Sequence, residues 1–120
     1  MTFIGRFTDG YEALRSERIA VGPGETNTVE AYVKWQNVTS NPGPGFVLRV
    51  VYYNSGVITS QVDIDTYDNP TGIHQWERLH GSFTCPEGSN EFSIQLTCTS
   101  NITHGTAFWD DVLVPKVVTP

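Results

Sequence analysis

An all-β fold is predicted for this chain: a two-sheet antiparallel β-sandwich, jelly roll in type, with about eight strands. Apolar and polar residues alternate with a period of two along most of its length, helical periodicity is nearly absent, and clusters of Gly, Pro and Asn break the alternation at short, regular intervals. With 120 residues, the chain is long enough to bury a core without metal or disulfide staples.

The elements follow in order. A first strand is expected over 14–21, closed by the turn Gly22-Pro23-Gly24. The helix-like spacing of Tyr11–Glu17 is too short to sustain a helix. Thr28–Val38 sets Val29, Ala31, Val33 and Trp35 on one face and Thr28, Glu30, Tyr32 and Lys34 on the other. After Asn41-Pro42-Gly43-Pro44-Gly45, the segment Phe46–Tyr53 is apolar on both faces apart from Arg49, which predicts a central strand. Strands are expected over 57–65 and 75–84, flanked by the turns Asn54-Ser55-Gly56, Asp68-Asn69-Pro70-Thr71-Gly72 and Pro86-Glu87-Gly88. Glu91–Thr99 alternates most cleanly, with Phe92, Ile94, Leu96 and Cys98 inward and Ser93, Gln95 and Thr97 outward. A last strand is expected over 106–114. Residues 1–114 thus read as one domain and 115–120 as an extended C-terminal arm.

Charge and composition narrow the function. Seven Lys and Arg stand against thirteen Asp and Glu, giving a net charge of −6, and the basic residues form no run. Nucleic acid and anionic membrane surfaces reward clustered cations, so neither is an expected partner. No apolar stretch approaches the ~20 residues of a membrane span. Met1–Arg6 lacks a basic leader followed by an apolar segment, so no signal peptide is expected. Cys85 lies beside a turn and Cys98 well along the following strand, too far apart at ~3.3 Å per residue to bridge. Two buried free thiols are expected, in keeping with synthesis in a reducing host cytoplasm.

Catalytic patterns are missing. His74, His80 and His104 have no metal-ligand spacing, and no nucleophile elbow occurs. Asp110 and Asp111, adjacent on a strand, are expected to face opposite ways and so not to act as an acid–base pair. The chain is therefore read as a non-enzyme without a cofactor. Sugar recognition asks for aromatic rings beside planar polar groups. Tyr32, Lys34, Arg49 and Tyr53 supply both on a single face if their strands pair in register. Covering an outer sheet face, where aromatics are favoured in any case, explains the two tyrosines equally well. Trp109 is compatible with core, ligand platform or protein interface.

Five segments, in order, resemble carbohydrate-binding modules of the jelly-roll type, which are attached to bacterial glycoside hydrolases and occur in bacteriophage tail and virion-surface proteins. They are Ser16–Thr26 with its Pro-Gly turn, Val29–Lys34, Val50–Gly56, the Trp-led Trp76–Gly88, and Ala107–Val112 with its Asp-Asp pair. The resemblance implies a non-catalytic module and a core position for Trp76. It also implies a structural calcium, for which Asp9, Asp110 and Asp111 are the candidates, although Thr8 stands where the family places a carboxylate. The expected role is a decoration or accessory protein on a bacteriophage virion. Its partners there would be capsid or tail proteins, with homo-oligomerisation and weak host-glycan adhesion. The alternative is a polysaccharide-binding module from a secreted glycoside hydrolase.

Overall fold

The computed structural model of the chain describes residues 12–114; Asp9 and the arm 115–120 lie outside the described residues. Eight strands occur in order: β1 (Glu12–Arg15), β2 (Ile19–Ala20), β3 (Thr26–Ser40), β4 (Pro44–Asn54), β5 (Val57–Asp68), β6 (Gly72–Thr84), β7 (Glu91–Cys98) and β8 (Ile102–Leu113). There is no helix among the described residues. One sheet has the order β1-β7-β4-β5, with β2 also paired to β7, and the other the order β6-β3-β8. Every pairing is antiparallel. The all-β sandwich predicted from alternation is the fold observed.

The two sheets meet through the residues that the period-two pattern turns inward. Val29, Ala31, Val33 and Trp35 of β3 join Trp109 and Val112 of β8. From the other sheet come Phe46, Leu48 and Val50 of β4 with Phe92, Ile94 and Leu96 of β7. All of these are nearly inaccessible to solvent. Each aliphatic side chain so buried contributes roughly 1.5–3 kcal/mol. Aromatic rings span the layers: Trp35 lies 5.0 Å from Phe46 and Phe46 lies 6.1 Å from Trp109. Trp109 is therefore a core residue, and the ligand-platform and interface readings of its ring are set aside.

Two local departures from the expected strands have visible causes. The strand expected over 14–21 is broken into β1 and β2 because Ser16 intervenes with its side chain. Its hydroxyl accepts the Ile94 N–H at 2.9 Å, and its own N–H donates to Ile94 O at 2.8 Å. The other departure is larger. Consecutive β3 and β4 do not pair but lie in different sheets, because the chain crosses the sandwich at Asn41–Gly43. Gly43, at φ 121°, makes that crossing, and its N–H donates to Asn69 Oδ1 at 2.8 Å.

β6 and β7 likewise belong to different sheets, so Cys85 and Cys98 do not flank a hairpin as expected from the turn between them. Both are buried and free. Cys98 sits opposite Phe46 at one end of β4, whereas Cys85 lies by Ser89 near the other.

Candidate functional site

With the inner faces consumed by packing, two outer faces carry the remaining chemistry. On the five-stranded sheet, register aligns one planar polar side chain from each of four adjacent strands. Arg15 of β1 stands opposite Gln95 of β7, Gln95 opposite Arg49 of β4, and Arg49 opposite Asp63 of β5. At ~4.8 Å per strand this row runs roughly 14 Å. Two of its neighbour pairs are hydrogen-bonded as well as aligned. Arg15 Nε and Nη2 both donate to Gln95 Oε1, at 3.1 and 2.7 Å, and Arg49 Nε donates to Asp63 Oδ1 at 2.6 Å.

Neighbouring rows are Ala13, Thr97, Val47 and Thr66 on one side, and Ser93, Val51 and Gln61 on the other. Ser93, Gln95 and Thr97, expected to face solvent, are buried. Their polar atoms are satisfied within the face: Gln95 Nε2 donates to Thr97 Oγ1 at 3.1 Å, and Ser93 Oγ bonds Tyr53 Oη at 2.9 Å. Access concentrates on Arg15, Gln61 and the Arg49–Asp63 pair, whose side chains are 18% and 49% exposed. Tyr53 is nearly buried, with the Arg18 guanidinium 5.9 Å from its ring centroid, and Arg18 also approaches Glu91 at 3.7 Å. Because it is buried, its ring offers no stacking surface.

Tyr32 and Lys34 stand elsewhere. They lie on the outer face of the three-stranded sheet, so the expectation that Tyr32, Lys34, Arg49 and Tyr53 share one face is corrected. β3 and β4 present their inner faces to each other across the core, and their outer faces therefore point apart. Tyr32 pairs with Arg78 of β6 and Asp110 of β8, while Lys34 pairs with Phe108. Lys34 Nζ lies 4.8 Å from the Trp76 ring centroid and 5.4 Å from that of Phe108. Arg78 Nε donates to Glu30 Oε2 at 2.7 Å beside them. Trp76 is 41% exposed on this face, against the expectation of a core position.

Asp110 and Asp111 also depart from expectation. The β3–β8 register shifts between Tyr32 and Glu30, with Asp111 at φ 50°. This bulge leaves two residues between inward Trp109 and inward Val112, so both aspartates fall on the solvent side. Asp110 Oδ1 accepts the Asp111 N–H at 2.8 Å. For calcium, which takes six to eight oxygens, Asp110 and Asp111 supply two carboxylates of the three candidates named from the sequence. No group of three or more His, Cys, Asp or Glu able to hold a metal occurs among the described residues, and Asp9 lies outside them.

The arrangement was compared with known proteins. No protein-family model matches the sequence, and neither does any curated protein. Solved structures do match. A family 16 carbohydrate-binding module superposes with a TM-score of 0.62 at 17% identity, over 92% of this chain and 74% of that one. The chain folds as a carbohydrate-binding-module-like jelly roll. A xylan-binding domain from CBM 22 has the same fold, with a TM-score of 0.57 at 16% identity over 82% of this chain, which spans 64% of that domain's length. So does part of the enzymatically active domain of bacteriophage CBA120 tailspike protein 4, with a TM-score of 0.57 at 11% identity, over 97% of this chain and 19% of that one.

Sequence reasoning missed Arg15 in the polar row, Arg18 over Tyr53, and Trp76 and Phe108 on the outer face of the three-stranded sheet. The parity of Trp76 with Arg78 and His80, and against Leu79 and Phe83, was the signal that placed it outside. Nothing in the spacing links Arg15 to Gln95, because that contact exists only once β1 is known to pair with β7.

Proposed function

We propose that this chain is a non-catalytic glycan-binding module whose polysaccharide lies against the accessible Arg15, Gln61, Arg49 and Asp63 side chains of this row and its neighbour, with buried Gln95 holding Arg15 in place. The observation that carries this reading is the row itself: amide, guanidinium and carboxylate groups fixed by sheet register and by one another. Planar donors and acceptors held in place match the hydroxyls of a sugar chain at little cost in side-chain ordering. The fold's neighbours named above include binding modules, which supports a binding role.

The setting proposed is the surface of a bacteriophage virion, as a decoration or accessory protein with host-glycan adhesion and capsid or tail partners. The likeness to a tailspike domain supports it. A second reading, a polysaccharide-binding module of a secreted bacterial glycoside hydrolase, is supported by the likeness to the xylan-binding domain. A neighbouring gene for a tail or capsid protein favours the first, and one for a hydrolase the second.

Affinity electrophoresis through gels containing xylan, β-glucan or mannan tests the binding reading. At least one of the three is expected to retard the protein, and Arg49→Ala combined with Asp63→Ala to weaken that binding at least tenfold. Migration unaffected by all three polysaccharides overturns it.

A further inference from the structure

The outer face of the three-stranded sheet carries a feature that the polar row does not explain. Of the three tryptophans, Trp35 and Trp109 are buried while Trp76 leaves 41% of its surface to solvent. Other apolar side chains are exposed as well, but Trp76 alone among the exposed large apolar residues described presents a flat aromatic ring. Beside it, Lys34 Nζ stands between the rings of Trp76 and Phe108. No carboxylate among the described residues lies within ion-pair distance of it. Cation–π contact fixes the ammonium without using its N–H donors.

Across the cavity stands Asp110, one carboxylate oxygen occupied by the Asp111 N–H and the other left as an acceptor. Backbone strain adds to the picture, because Asp111 adopts φ 50°, a conformation that non-glycine residues hold only where their surroundings impose it. Lys34, Trp76, Phe108 and Asp110 enclose a shallow cavity of about 160 Å³. That is below the ~300 Å³ of sites for drug-sized ligands, so it has room for a single ring.

We infer that this cavity is a second saccharide site, on the sheet opposite the polar row, and that it takes one neutral pyranose residue. The ring packs on the exposed indole, Lys34 donates to one hydroxyl, and Asp110 accepts from its neighbour. Charge selects the class of sugar. At the site one carboxylate balances one ammonium, which suits a neutral sugar, and the chain's net charge of −6 disfavours uronates and sulfated sugars. The inference stands on residues separate from those of the proposed function, and it holds or fails independently of which face binds more tightly.

Tryptophan fluorescence reads this face selectively, because the other two indoles are already in the core. Titrating the intact chain with xylan, β-glucan and mannan fragments is expected to shift the emission to shorter wavelength for at least one. The shift should disappear in Trp76→Phe and weaken at least fivefold in apparent affinity in Lys34→Gln and Asp110→Asn. It should persist in Arg49→Ala/Asp63→Ala. Polygalacturonate fragments are expected to give no shift. Binding seen by electrophoresis without any emission change overturns this site and leaves the polar row standing. An emission change that survives Lys34→Gln and Asp110→Asn, or that polygalacturonate produces equally, also overturns it. No binding and no emission change with any fragment overturns both sites.

Discussion

The Cys85 thiol donates to Ser89 O at 3.4 Å, and Cys85 is buried with Glu25 and Glu87 as its charged neighbours. Burial first, and then these two carboxylates, raise its pKa above the ordinary 9.0. Tyr52, whose hydroxyl donates to Thr84 O at 3.2 Å, is raised above 10.0, again mainly by burial and then by Cys85. Both groups are neutral in the fold and ionise more readily in the unfolded chain. Their contribution to stability is therefore complete below pH ~9 and lost as pH rises through the raised folded values. Urea midpoints measured between pH 7 and pH 11 should fall above about 9, and Cys85→Ala should remove part of that fall. An alkaline limb identical in Cys85→Ala and the parent chain would refute the assignment. Residue character at these positions was legible early, since an apolar parity placed Cys98, Leu96 and Trp35 inward. What parity did not convey was the fate of the opposite face of β7, where Ser93, Gln95 and Thr97 are buried polar groups rather than solvated ones.

Strand β8 shows how a single residue alters what an element presents. Regular alternation sends Asp110 and Asp111 to opposite faces, and a bulge at Asp111 puts both outside. Aspartate tolerates the left-handed region better than most residues, and a β-branched side chain tolerates it poorly. Asp111→Val is expected to lose about 1–2 kcal/mol despite the better strand propensity of valine, lowering Tm by roughly 4–8 °C. Asp111→Gly should stay within about 1 kcal/mol of the parent. Equal Tm values for the valine and glycine variants would mean that the bulge is not held in this conformation.

The strands themselves were readable, because a buried face imposes a period that survives in sequence. Their pairing was not. β3 and β4 follow each other across a Pro-Gly turn like many hairpins, and only the crossing at Gly43 sends them to different sheets. For that reason Tyr32 with Lys34, and Arg49 with Tyr53, were grouped on one face when they belong to two. The Ser16 break between β1 and β2 was equally hidden, since it depends on Ile94, distant in sequence.

At the scale of the molecule, the two proposed sites lie on outer faces that point away from each other across sheets about 10 Å apart. One straight polysaccharide cannot touch both, so a chain using both would engage two different glycan strands or two segments of a folded one. Linkage of this kind raises retention on a dense glycan surface through effective concentration, without tighter contact at either site. Separation by the packed core also makes the sites energetically independent, since substitutions more than ~7–10 Å apart without shared partners add. Calorimetric titration with a short neutral oligosaccharide is therefore expected to give two sites per chain. Arg49→Ala/Asp63→Ala and Lys34→Gln/Trp76→Phe should each reduce the number to one, leaving the remaining Kd within about twofold, as additivity requires. With long polysaccharide, the parent chain should form turbid networks at intermediate ratios while either variant stays clear. One site in the parent chain would be incompatible with two opposed sites.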